Sequence, residues 1–290
     1  MNRTSEFKLR GIWQIAKAEY IRFVTDPRII MVAMLMLVMA NLVIQPLMEH
    51  ADKYGAPINA LEPFIAVANS GIFSMFIPAV FIILASDYPD IGQKTLFFIQ
   101  RIGRVRWLLG EILSIVMVIV SYLASLLVFC SIYTIRNNFF GSDCSDSVTK
   151  YISKFPDEAN DAISEYLSSR LYNQMNLKDA FFHVVCFMIM YLLMLSLILM
   201  LFRVLNLKAA GIFACFVIVA AGVLTASMDL QIMWYFPMAN TIVWLHYTDI
   251  MREPIVPLSQ SYLYFAVCLA VLFLINLIVM KKRNVNPTEE

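Results

Sequence analysis

The sequence predicts an all-α membrane protein. Six transmembrane helices follow an N-terminal amphipathic helix, a re-entrant hairpin precedes the last span, and both termini lie in the cytoplasm. Three observations predict this. Of the 290 residues, 60% are hydrophobic and only 15% charged, against about 45–50% and about 25% in soluble domains, and the mean hydropathy is +0.72. Charge-free runs long enough to cross a bilayer recur along the chain. Lysine and arginine alternate between rich and poor connections in step with those runs.

A crossing takes about 20 apolar residues, because the hydrocarbon core is about 30 Å thick and a helix rises about 1.5 Å per residue. Seven runs without Asp, Glu, Lys or Arg are long enough: Ile29–Met48, Pro63–Ser86, Ile112 up to Arg136, Ala180–Phe202, Ala209–Met228, Leu230–Thr248 and Pro254–Met280. With six crossings that omit Leu230–Thr248, 15 of the 22 Lys and Arg fall on one side, including Arg3 to Arg28, Lys94 to Arg106 and Lys281 to Arg283. Basic residues stay cytoplasmic, so that side is inside, and a seventh crossing would expel the last three. The spans therefore lie at about 29–48, 66–86, 107–135, 181–203, 209–228 and 259–280. No cleavable signal peptide is expected, since the first apolar run starts at Ile29 with no small-residue cleavage site after it.

Residues 1–28 form the amphipathic segment. Ile12, Ile15, Ala16 and Phe23 follow helical spacing among Lys8, Arg10, Lys17 and Arg22, as in a helix lying in the inner interface against anionic lipid. Asp26-Pro27 ends it, and Pro27 suits the first turn of span one. The cytoplasmic loop 87–106 opens with acids and a proline, turns at Gly92, and then presents a short apolar-faced, arginine-edged helix suited to a soluble partner.

Two outer segments stand apart. The loop 136–180 is too long for a plain connection, and PDEANDAISEYLSSRLY within it reads as an amphipathic helix. The stretch 230–254 carries Pro237 among Trp234, Tyr235, Trp244, His246 and Tyr247. A mid-segment proline breaks the backbone ladder, and such aromatics gather at interfaces, so this stretch reads as a re-entrant hairpin.

The chemistry-bearing motifs are few. There is no phosphate-binding G-x-x-x-x-G-K-[ST], no H-E-x-x-H among three histidines, and no G-x-S-x-G. No catalytic residue, metal site or nucleic-acid surface is expected. Cys130, Cys186, Cys215 and Cys268 lie in spans as small hydrophobes, and Cys144 has no loop partner. Ionisable and amide groups inside spans are candidates for a translocation path: Asn41 and Gln45 on one face of span one, Glu111, and His246 in the hairpin. Each has a plainer role. Asn41 and Gln45 hold neighbouring helices, Glu111 pairs with Arg104 or Arg106, and His246 bonds at the interface.

Two stretches resemble the permease subunit of an ABC-2 type ATP-binding cassette exporter. AEYIRFVTDPRIIMVAML (Ala18–Leu35) is similar to that family's approach to span one through Glu19, Arg22, Asp26, Pro27 and Arg28. GQKTLFFIQRIGRVRWLLGEIL (Gly92–Leu113) is similar to its coupling region through Gly92, Thr95, Leu96, Arg104 and Gly110. Three positions depart from the pattern: Lys94 is inserted, Ile102 stands where proline is common, and Glu111 replaces a lysine. The resemblance implies an elbow helix (Glu19, Arg22, Asp26, Pro27) and a coupling surface (Asp90, Gly92, Thr95, Leu96, Phe97, Arg101, Arg104) for a soluble ATP-binding cassette subunit. That subunit would bind ATP and Mg. A second permease half, identical or homologous, would complete the unit in a bacterial cell membrane. The cargo expected is amphipathic or hydrophobic: a peptide such as a toxin or bacteriocin, a lipid-like molecule or a drug. A secondary transporter of a hydrophobic solute and a membrane protein without transport activity are the alternatives.

Overall fold

In the computed structural model, residues 3–71, 73–91, 93–156, 167–248 and 254–282 are described. The chain is almost wholly helical. Helix α1 (Arg3–Val24) precedes α2 (Pro27–Tyr54), and α3 (Glu62–Asn69) and α4 (Phe73–Leu84) follow. Then come α5 (Gln93–Ile102), α6 (Arg104–Tyr133), α7 (Leu177–Val204), α8 (Lys208–Ser227), the short α9 (Pro237–Thr241) and α10 (Leu258–Lys282). Five of these are long and apolar enough to cross a membrane: α2, α6, α7, α8 and α10. Counting α3 with α4 as one bent span gives six. The only sheet among the described residues is a parallel pair, β1 (Ile58–Asn59) with β2 (Asn138–Phe139), in register Ile58 to Asn138.

The junction of α1 and α2 is set locally. Asp26 is extended and its Oδ1 accepts the Arg28 N–H at 2.8 Å, while Pro27 occupies the first helical position. The carboxylate thus satisfies a donor that the helix start leaves open. Helix α2 then contains one wide turn, Ala40–Ile44, where the Gln45 N–H bonds back to the Ala40 carbonyl.

The stretch expected as a span at 66–86 is bent by 85° between α3 and α4. The cause lies at Asn69. Its carboxamide oxygen accepts the Val243 N–H at 2.7 Å, and its carbonyl accepts the Trp244 indole N–H at 2.7 Å. Both acceptors serve another segment, and Ser70 turns extended. The aromatic segment expected as a hairpin supplies those donors. It contains no span-length helix, only short turns around α9, and Met238 to Val243 are buried by the protein itself. Gly222 on α8 lets it approach: a Cβ there would stand 2.6 Å from Met238 Cβ.

At the far end of the bundle from α1, Glu62 joins three segments. Its carboxylate accepts the Asn59 N–H at 2.8 Å, the Ser145 N–H at 2.6 Å and the Ser145 hydroxyl at 2.9 Å. His50 stacks on Tyr151 at 4.1 Å, and the Lys154 ammonium donates to the Tyr54 carbonyl. Most of the amphipathic helix expected in PDEANDAISEYLSSRLY falls at 157–166, outside the described residues; a short helix follows at Ser169–Tyr172.

Candidate functional site

Most of the sequence-singled residues meet at the end of the bundle that holds α1. Helix α1 lies along the first turns of α6, burying Ile15 and Ala16 and leaving Trp13 and Lys17 exposed. Gly110 makes this possible. A Cβ there would stand 2.9 Å from Ile15 Cβ and 3.2 Å from the Ile12 carbonyl oxygen, so only glycine admits the close approach.

The same helix is fastened to the loop after α4 by charge. Arg22 Nη1 reaches Asp90 Oδ2 at 2.7 Å and Glu19 Oε2 at 2.9 Å. Asp87 receives both Arg28, from the start of α2, and Lys208, from the start of α8. Arg28 also donates to the Ser86 hydroxyl at 2.8 Å. Burial works to raise the Asp87 pKa, but the Lys208 hydrogen bond and the two cations outweigh it and hold the carboxyl below its ordinary range. Glu19 goes the other way: its burial, with Asp90 nearby, outweighs Arg22 and raises its pKa.

Helix α5 is anchored through Thr95, which is buried and donates its hydroxyl to the Asp90 carbonyl at 2.6 Å. Gly92 and the side chains of Leu96 and Phe97 lie outside the described residues. Arg101 is exposed at the last turn of α5. Gly103 then takes φ +94° to start α6. A side chain is strained in that left-handed region.

Two pairings expected for Glu111 do not form. Arg104 Nη1 instead donates to the Met280 and Lys281 carbonyls at the end of α10, and Arg106 Nη1 to the Ile102 carbonyl. These carbonyls lie at the C-terminal ends of α10 and α5, so cations suit them. Glu111 is fully buried, with neither carboxyl oxygen hydrogen-bonded among the described residues. Its charged neighbours are Glu19, Arg22 and Asp90. The Tyr88 hydroxyl is likewise buried without a hydrogen-bond partner there.

The four residues weighed for a path do not share one wall. Glu111 is sealed beside α1. His246, expected at an interface, is fully buried, with Nδ1 2.8 Å from the Val256 carbonyl and Nε2 3.4 Å from the Ser261 hydroxyl. Asn41 and Gln45 are exposed on α2 and bond within it among the described residues: Asn41 donates to the Leu37 carbonyl, and Gln45 to Glu49. Sequence reasoning missed Asp87 and Lys208 as a pair. Both flank apolar runs, which was the available signal. It also missed Asn69, whose partners are 174 and 175 positions away.

This arrangement can transmit position. A displacement of the loop 87–91 reaches α1, α2 and α8 through single ion pairs and α6 through packing. No group of three or more His, Cys, Asp or Glu among the described residues is placed to hold a metal ion. All five cysteines are free, and burial pushes the Cys144 thiol up to about 12, far from a nucleophile's range. The chain matches no protein-family model, no curated protein and no solved structure.

Proposed function

We propose that this chain is the membrane-embedded half of an ATP-driven exporter of the ABC-2 type. In this reading α1 is the elbow helix in the inner interface and both termini are cytoplasmic. Helix α5 and its flanking loop form the coupling surface, and residues 230–254 form the re-entrant hairpin. A separate soluble subunit binds ATP and Mg. Asp90, Gly92, Thr95, Leu96, Phe97, Arg101 and Arg104 belong to the surface it engages. A second permease half completes the path in a bacterial inner or plasma membrane.

The observation that carries the reading is the convergence at residues 86–95. One short segment is joined by ion pairs to α1 and to the first turns of α2 and α8, and by Thr95 to α5. A push on α5 therefore reaches three other elements without a continuous helix between them, which suits a rigid-body switch between two packings. Apolar spans with few charges favour a hydrophobic or amphipathic cargo over an ion or sugar: a toxin-like peptide, a lipid-like molecule or a drug. The test is recovery of the tagged chain in mild detergent from its host. A soluble chain bearing a phosphate loop should accompany it, and charged substitutions at Leu96 and Phe97 should abolish that recovery while membrane insertion persists. Recovery of the chain alone refutes the reading and favours a secondary transporter.

A further inference from the structure

The long helices turn apolar side chains outward, α2 included, through Ile30, Met34, Leu37, Val38 and Leu42. The exposed residues of α6 include Val120, Val128 and Ile132, those of α8 Phe213, Val217 and Leu224, and those of α10 Leu263, Val267 and Val271. Helix α2 differs along one face. Ala33, Leu37, Asn41, Gln45 and Glu49, spaced four apart, are all exposed. Asn41 sits at the middle of Pro27–Tyr54, at the depth where lipid offers a carboxamide nothing. The wide turn Ala40–Ile44 slows the helical rotation there and keeps Asn41 and Gln45 on one outward face. Polar groups at such depth face protein or water rather than lipid in assembled membrane proteins.

We propose that this face of α2 is the contact through which two copies of this chain pair. It deepens the reading above, on which it rests, by naming the second permease half as an identical chain. The complementarity is on the face itself. Each carboxamide both donates and accepts. Asn41 uses one N–H on Leu37 and Gln45 one on Glu49, so each keeps an N–H and an oxygen to offer. Two copies inserted in the same direction are related by a two-fold axis along the membrane normal, which sets each residue near the axis against itself. Asn41 then meets Asn41, with Ala33 two turns away leaving room for close approach. Glu49, at the outer end of the helix, diverges into the headgroup region, which keeps the two carboxylates apart.

The test is cysteine crosslinking of the full chain in native membranes under copper-phenanthroline, with the unsubstituted chain measuring any background from its own cysteines. Asn41→Cys should give a species of twice the chain's mass at least about threefold above Val217→Cys, with yield falling from position 41 to 45 to 49. In a second arm, Asn41→Leu with Gln45→Leu should weaken pairing about tenfold by single-molecule photobleaching, with insertion checked by membrane fractionation. Crosslinking at position 41 no greater than at 217, or capture of a chain of different mass, overturns the proposal. Neither arm uses the ATP-binding subunit. A dimer without that subunit refutes the exporter reading and spares this contact; a recovered subunit without the crosslink does the reverse.

Discussion

Arg22 Nη1 lies 2.7 Å from Asp90 Oδ2, tying the helix that precedes the first span to the loop that follows α4, 68 residues along the chain. Both side chains are about two-fifths exposed, so the pair contributes at most about 1 kcal/mol to stability. Its value lies in position. Arg22→Asp and Asp90→Arg should each leave thermal unfolding nearly unchanged yet reduce recovery of the proposed ATP-binding partner. The double exchange should restore recovery, as read by copurification. A double exchange no better than either single variant would remove the pair from the coupling surface.

Asp87 predicts an acid-sensitive clamp. Its pKa is held below the ordinary carboxylate value in the fold, so its contribution is fully present above that value and is lost as pH falls through the lowered one. Melting temperatures in detergent should therefore drop more steeply for the parent than for Asp87→Asn below about pH 4. Parallel curves would show that Arg28 and Lys208 do not act on it.

Glu19 has the opposite sign. Its pKa is raised in the fold, by burial first and by Asp90 second. Its contribution is therefore greatest below the ordinary carboxylate pKa and is lost as pH rises through the raised value. Glu19→Gln should be more stable than the parent at about pH 8, with the advantage shrinking towards about pH 4. A constant difference across that range contradicts the assignment.

Glu111 is the clearest case of a residue the fold does not need. Neither oxygen is hydrogen-bonded among the described residues, and the side chain is fully buried. Replacing a buried, unpaired polar group by an apolar one of similar size is neutral or stabilising. Glu111→Met should raise stability by about 1 kcal/mol or more, measured by thermal unfolding. A loss of that size would reveal a partner for the carboxyl.

Gly110 tests the seating of α1. The nearest Ile15 atoms stand 2.9 Å from where a Cβ would sit, so Gly110→Val must push α1 away, at a cost of about 1–3 kcal/mol. Trypsin should then cut at Arg10 and Lys17 faster than in the parent, while cleavage at Lys154 stays unchanged. Equal rates at all three sites would mean that α1 is held by something other than this contact.

Local signals made much of this legible. Charge-free runs coincide with the five helices long and apolar enough to cross a membrane, because length and hydropathy are local properties of the chain. Helix α2 nonetheless runs on to Tyr54 and α6 begins at Arg104, beyond the charge-free stretches. Asp26-Pro27 marked the break between α1 and α2, because a cap and a fixed φ act on neighbouring residues. What depends on distant partners was not legible. The bend at Asn69 comes from donors on Val243 and Trp244, and an apolar run containing Pro78 offers no sign of that. Sequence proximity suggests Arg104 or Arg106 as the partner of Glu111, whereas Arg104 is drawn to the carbonyls that end α10. Hydropathy alone could not tell the outward amides of α2 from inward ones, because exposure is a property of the packed bundle.

The central claim is that the segment around Asp87–Thr95 receives a soluble ATP-binding partner. Its most direct measurement is quantitative mass spectrometry of whatever copurifies with the tagged chain in mild detergent. The account predicts a chain bearing a phosphate loop, in fixed ratio to the permease and lost when Leu96 and Phe97 are made charged. A stable chain recovered with no nucleotide-binding partner would contradict it.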